Sequence, residues 1–235
     1  MICKYAGCIS LEKFSIPASV NSIKNGAFQN CEKLDSIIIP EGVKMIENQT
    51  FNGCNKLKSI SLPNSLNYIK EYSFSGCGFN KLVLPENVKI IYSKAFADCL
   101  SLKILNSHAE TPPLLYDDTF SNYDVLLIVP EGCVDVYANT NGWKNFANII
   151  DKSVSNLTYV IDGEVYKTYE IEIGQTIVPE PAPEKEGYNF SGWSNIPEIM
   201  PAFDVIVYGS FNAKKYLLNY YVDGTKLLLS DKSAK

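Results

Sequence analysis

The chain has 235 residues, 46% of them hydrophobic and 20% charged, with a formal net charge of -5 and a pI near 5.0. That length supports one or two domains with real cores, while no apolar run approaches the roughly 18 to 20 residues of a membrane-spanning helix. Lys and Arg are scattered, which argues against a nucleic-acid partner, and the opening MICKYAGCIS lacks the basic segment and apolar core of a secretion signal.

From the first residues onward one pattern recurs. Aromatic residues stand at Tyr5, Phe28, Phe51, Phe74, Phe96 and Phe120, and thiols follow at Cys8, Cys31, Cys54, Cys77 and Cys99, spaced 23, 23, 23 and 22 residues apart. Such a fixed period marks a repeat and not a ligand constellation. In the copy FNGCNKLKSISLPNSLNYIKEYS, Leu57, Ile60 and Leu62 alternate as strand positions, Pro63 ends the strand, and Leu66 and Ile69 follow. Leu34, Ile37, Ile39, Val43 and Ile46 fill the same slots one turn earlier, and Leu82, Leu84, Val88 and Ile91 one turn later. One 23-residue turn cannot bury its own apolar side, so the turns must stack as a solenoid with short parallel strands about 4.8 Å apart. Gly7, Asn30, Gly53, Gly76 and Asp98, each just before the thiol, are types that tolerate positive φ and predict a tight bend.

These residues resemble the BspA-like leucine-rich repeats, with the pattern F..C..L..I.IP..V..I...A over residues 1 to about 150. The fifth turn departs from it: in NSHAETPPLLYDDTF the IP and the following Val and Ile slots are lost. In that family a TPP variant precedes a W..F..I finish, so the resemblance implies a cap over about 130–150, with Trp143, Phe146 and Ile149 sealing the core. Cys133 occupies the slot of Val43 and Val88 and reads as core filler; Cys3 lies outside the file of thiols.

After a polar hinge at 151–156 the period disappears. Residues 157–213 alternate apolar and polar, with Asp162-Gly163 as a hairpin signal; strands are expected at about 157–161, 164–173, 188–193 and 204–211, with the Pro-rich PEPAPEKEG as a stiff loop. YVIDGEVY, GQTI, EGYNFSGWS and MPAFDVIVYGSF resemble the Listeria-Bacteroides repeat, related to the internalin B-repeat. The resemblance implies a small β-grasp-like domain with Tyr188 and Trp193 as core aromatics and a last hairpin starting at Met200 and Pro201. LLNYYVDG at 217–224 echoes NLTYVIDG, so 214–235 reads as an incomplete further copy or a tail. The fold class is therefore mainly β, a leucine-rich-repeat solenoid followed by a second small β domain.

A straight file of thiols cannot converge on one zinc ion, and parallel side chains do not suit a disulfide; the file reads as packing. The single histidine, His108, sits near Glu110 without a partnered nucleophile, and no phosphate loop, HExxH or nucleophile elbow occurs. No cofactor or metal is expected. The informative residues are the outward strand positions, which a solenoid displays as one surface: Lys13, Ser15, Ser36, Ile38, Ser59, Ser61, Lys81, Val83, Ile104, Asn106, Leu126 and Ile128. They turn from small and polar to apolar along the chain, as either a partner site or contact with the cap or second module would require. The combined resemblance implies a non-enzymatic bacterial surface or secreted adhesion protein that binds a host or other surface protein on this face, with the β module as spacer. The alternative is glycan binding at Tyr116, Asp117, Asp118 and Asn122; a more remote one is a hydrolase using His108, Asp117 or Asp118.

Overall fold

The computed structural model describes residues 5–116 and 118–216, together with the backbone of 220–222 and 225–227. Cys3, Asp117 and most of the 217–224 echo lie outside the described residues. The chain divides into two compact units, Met1–Lys152 and Ser153–Lys235. In the first unit the strands are β1 (Ser36–Ile38), β2 (Met45–Ile46), β3 (Ser59–Ser61), β4 (Tyr68–Ile69), β5 (Lys81–Leu84), β6 (Ile90–Ile91), β7 (Ile104–Ser107), β8 (Leu114–Leu115) and β9 (Leu126–Ile128). Helix α1 (Val134–Ala138), a short 3-10 turn (Trp143–Asn145) and β10 (Asn148–Ile150) complete it.

This unit is a β-solenoid. The odd-numbered strands, joined at the end by β10, stack in parallel along one side of the coil, as β1–β3 and as β5–β7–β9–β10, while β2, β4, β6 and β8 form a second parallel ladder. Between the ladders runs the aromatic file. Rings of Tyr5, Phe28, Phe51, Phe74, Phe96 and Phe120 stack turn on turn with centroids 5.5, 5.3, 5.5, 5.4 and 5.1 Å apart and planes within 14°. Ring stacking at this offset adds to the burial that drives the coil together. The bends predicted from the residue before each thiol are present, with φ between 57° and 75° at Gly7, Asn30, Gly53, Gly76 and Asp98. Each bend aims its N–H at the next turn, as in Gly53 N–H to the Ser75 carbonyl at 2.8 Å.

A second left-handed position per turn, two residues before the aromatic, is not announced by residue type. Gly26 takes it in one turn, but Gln49, Tyr72 and Lys94 take it in the next three, with φ of 57°, 54° and 56°. Inter-turn hydrogen bonds at the same place hold the backbone there, such as Gln49 N–H to the Glu71 carbonyl at 3.0 Å. Tertiary bonding overrides the Cβ penalty of about 1 to 2 kcal/mol.

The fifth turn corrects one expectation. The Ile slot is not lost: Leu115 registers with Ile91 in the second ladder and is buried, because the longer irregular segment carries the chain back into register. The same segment anchors the cap. Pro113 accepts the Trp143 indole N–H at 2.6 Å, and Ala109 accepts the Tyr137 hydroxyl at 2.6 Å. Trp143, Tyr137 and Phe146 are buried, and Ile149 packs against them. Cys133 repeats the local hydrogen bond of its slot, N–H to the Pro130 carbonyl, as Val43 does to Pro40 and Val88 to Pro85.

In the second unit, β11 (Val154–Ile161) pairs antiparallel with β12 (Glu164–Glu172) through Asp162-Gly163, both at positive φ, the geometry of a tight hairpin turn. Three further strands are β13 (Tyr188–Phe190), β14 (Val205–Gly209) and β15 (Phe211–Ala213). β14 lies parallel to β11 in the order β12-β11-β14, and β13 pairs with β15. Backbone strands β16 (Tyr220–Val222) and β17 (Thr225–Leu227) pair antiparallel. Two expectations change here. Tyr188 is not a core aromatic: it is 37% exposed, edge-on to Phe211 under Lys185, since β13 runs with β15 outside the three-stranded sheet. Met200 and Pro201 start no hairpin, because Met200 is buried and hydrogen-bonded to Gln175, and β14 then joins β11 in parallel. Trp193 does pack on the core, its indole N–H on the Glu180 carbonyl at 2.8 Å and its ring 4.7 Å from Tyr159.

Replacing Gln49 with Gly relieves the left-handed strain at an exposed position and should raise stability by roughly 0.5 to 1 kcal/mol in urea unfolding, part of the relief being offset by the freer unfolded chain. Cys77→Ala should lower stability by about 1 to 3 kcal/mol through the cavity it leaves; an unchanged midpoint would show that the thiol does not pack.

Candidate functional site

The repeat thiols form a regular array inside the coil. Cys31, Cys54, Cys77 and Cys99 are buried and free. Each S–H donates to the carbonyl of the aromatic residue in the turn before: Cys31 to Tyr5, Cys54 to Phe28 and Cys99 to Phe74 at 3.1 Å, and Cys77 to Phe51 at 3.3 Å. Burial pushes the Cys54 and Cys99 thiols up from 9.0 to about 12, and Cys77 well above its ordinary value. A thiol held protonated is a poor nucleophile and a poor ligand. These side chains add a second hydrogen bond to carbonyls that already accept a backbone N–H of their own turn.

Among the described residues no group of three or more His, Cys, Asp or Glu stands where it would hold a metal ion, and no helix is long and apolar enough to cross a membrane. His108 lies on the surface, its backbone N–H bound to the Leu84 carbonyl at 3.0 Å.

The odd-strand ladder builds the displayed surface. Register places Lys13 beside Ser36 and Ser36 beside Ser59 in one row, with Ile38 beside Ser61 in the next. Further along, Lys81, Ile104 and Leu126 continue the first row, and Val83, Asn106 and Ile128 the second. Lys13, Ser15, Ile38, Ser59, Ser61 and Val83 are exposed; Ser36, Lys81, Ile104, Asn106 and Leu126 are half-buried. Ile128 departs from the expected outward set. It is only 3% exposed, flanked in register by Asn106 on one side and Ile150 on the other, whereas Ile38 has the small Ser61 beside it.

Ile38 is 71% exposed, a large apolar side chain left in water on a regular strand. It lines a groove of about 400 Å³ with Lys13, Phe14, Ser15, Ile16, Ser36 and Ile37. An apolar anchor with small polar neighbours and a cation at the rim matches the anatomy of a protein-binding patch. Alternation along the strand predicted that Ile38 points outward; the groove beside it has no sequence signal, because it depends on how neighbouring turns offset.

The second proposed cluster is assembled only in part. The Tyr116 ring is 45% exposed and stacks on Tyr92 at 5.7 Å with planes 19° apart, while Lys70 Nζ lies 3.9 Å from the Tyr92 ring centre. Asp118 is exposed and accepts the Ser93 hydroxyl at 2.9 Å. Asn122 lies elsewhere: beyond the inward-pointing Phe120 it lines a recess with Leu100, Ser121 and Val125, its Oδ1 accepting the Asp124 N–H at 2.8 Å. Sequence reading missed Tyr92, 24 residues away, which stacks on Tyr116, and Lys70, 46 residues away, which reaches the Tyr92 ring; both contacts arise only from the repeat register.

Residues 2–122 match the BspA type leucine rich repeat region as six copies. Among solved structures, a leucine rich cell surface protein from Faecalibacterium prausnitzii A2-165 is 35% identical over 43% of this chain and 26% of that one, with a TM-score of 0.39. A leucine-rich repeat protein from Bacteroides ovatus is 29% identical over 55% of this chain and 42% of that one, at 0.40. The pneumococcal vaccine antigen PcpA is 22% identical over 63% of this chain and 43% of that one, at 0.51, and shares the fold. The chain thus spans less than half the length of each of these proteins. None of the curated proteins matches it.

Thiol burial has a measurable pH signature. Between about pH 9 and 12 the unfolded chain releases protons that folded Cys54 and Cys99 retain, so stability, undiminished below 9, should fall with rising pH by about 1.4 kcal/mol per unit for each thiol. At pH 8 a disulfide reagent should label half-buried Cys8 and Cys133 before any of the four buried thiols, which should react only on unfolding. Rapid native labelling of Cys77 would contradict this picture.

Proposed function

Because the chain belongs to the BspA-type leucine-rich repeat family, we propose that it is a non-enzymatic, surface-displayed binding protein that holds a protein partner on its odd-strand face. The observation that carries this reading is Ile38, standing exposed over the groove lined by Lys13, Ser15 and Ser36. A solenoid supports such a role because its strands are held by the core behind them, so the face costs little ordering when it binds. Ser59 and Ser61 extend the patch, and the half-buried Ile104 and Leu126 supply further apolar area along the same rows.

In this reading residues 157–213 form a β-grasp-like module of the Listeria-Bacteroides repeat type that acts as a spacer after the solenoid at 1–150; the hinge expected at 151–156 is shortened to 151–153, since β11 already starts at Val154 and pairs with β12 there. The hairpin of β11 and β12 with β14 added in parallel supports it. Family membership supports a bacterial surface location and adhesion to a host or other surface protein.

The test is binding of the full chain to a panel of immobilised extracellular-matrix and cell-surface proteins by surface plasmon resonance. Ile38→Arg and the double variant Ser59→Arg/Ser61→Arg should melt as the parent does and lose at least about tenfold in affinity for whichever protein binds, as expected for a central anchor. Unchanged affinity in both variants would move the site off this face.

A further inference from the structure

The second ladder stops at β8, and that end is where its outward side chains differ from the rest. Tyr92, one turn inside, has both ring faces covered, by Lys70 on one side and Tyr116 on the other. Tyr116 has Tyr92 behind it and no further ladder strand in front, since β8 is the edge of the order β2-β4-β6-β8. Tyr116 stays 45% exposed although the cap packs on the same segment, Gly142 against Leu115 and the Trp143 indole on the Pro113 carbonyl. Leu114, two residues earlier on the same side of the strand, is 55% exposed, so an apolar strip lies next to the ring.

The platform is rigid. Tyr116 N–H donates to Thr119 Oγ1 at 3.2 Å and Thr119 N–H returns to the Tyr116 carbonyl at 3.0 Å, with Thr119 fully buried. Asp118 is carried on this turn, and one of its oxygens is tied to Ser93 on the neighbouring turn. Its carboxylate is exposed, two residues along the chain from Tyr116 and within electrostatic reach of Lys94.

From these features we infer a carbohydrate subsite: a neutral pyranose lays its C–H face on Tyr116 and Leu114 while its hydroxyls donate to Asp118. An aromatic face recognises the apolar side of a sugar ring, and a carboxylate, which only accepts, recognises hydroxyl donors. A nucleobase would stack equally well on tyrosine, but a sugar ring offers the Asp118 carboxylate the hydroxyl donors that a phosphate lacks. Preorganisation by the Tyr92 stack and the Thr119 turn reduces the ordering cost of a weak, single-ring contact. This subsite is independent of the Ile38 groove.

Saturation-transfer NMR of the full chain with cellohexaose, maltohexaose, mannohexaose and chitohexaose tests it. At least one hexaose should receive saturation on its ring C–H protons, and its affinity should fall at least about tenfold in Tyr116→Ala, hold within about twofold in Tyr116→Phe, and fall several-fold in Asp118→Asn. Ile38→Arg should bind the same sugar as the parent does, which separates failure here from failure of the groove. Parental melting of Tyr116→Ala checks that the fold is intact. No saturation transfer to any of the four sugars, equal binding by Tyr116→Ala, or a protein partner lost in Tyr116→Ala without any sugar contact would each overturn the assignment.

Discussion

Everything in the first unit depends on one constraint: a turn of 22 or 23 residues has an apolar side that only another turn can cover. The ring file shows how that is met. Six aromatic rings stack at near-constant spacing, and the strand ladders on either side advance by one strand per turn. Ring thickness and strand spacing are close enough that both repeat in step, so packing and backbone hydrogen bonding select the same register. The open end of such a stack would expose apolar surface. Here Tyr137, Trp143 and Phe146 close it, held by carbonyls of the irregular TPP turn.

Thiols play a supporting part in that stack. A bend after each aromatic turns the chain sharply, and the aromatic carbonyl of the preceding turn is left pointing into the coil. That carbonyl already accepts the N–H of the cysteine in its own turn, and the thiol one turn on adds a second bond to it from a side chain small enough for the space. Burial in return keeps the thiol protonated. The same inward geometry that removes the cysteines from chemistry pushes the remaining side chains outward, onto two faces. Those faces carry the exposed Ile38 on the odd-strand side and the exposed Tyr116 at the end of the other ladder.

Much of the solenoid was legible because its signals are local and repeated. The bends at Asn30, Gly53 and Asp98 were visible in residue type, and the inward Ile and Leu slots in alternation. The left-handed backbone at Gln49, Tyr72 and Lys94 was not, since bonds from the next turn impose it against intrinsic preference. Leu115 kept its slot across an irregular segment whose length obscured the register. In the second unit the Asp162-Gly163 hairpin was local and readable, whereas the position of Tyr188 depended on which strand β13 would pair with.

By itself the sequence determined the repeat, its inward face and the bends, because each arises from contacts between equivalent residues one period apart, and periodicity survives in one dimension. Which outward residues stay in water was decided by tertiary structure. Ile38 and Ile128 are equivalent in pattern, yet one is exposed and the other buried, because exposure on a ladder depends on the bulk of the neighbours in register. Likewise Tyr92 and Tyr116 hold equivalent positions one turn apart, yet Tyr92 is half-buried while Tyr116, after the last ladder strand, is exposed.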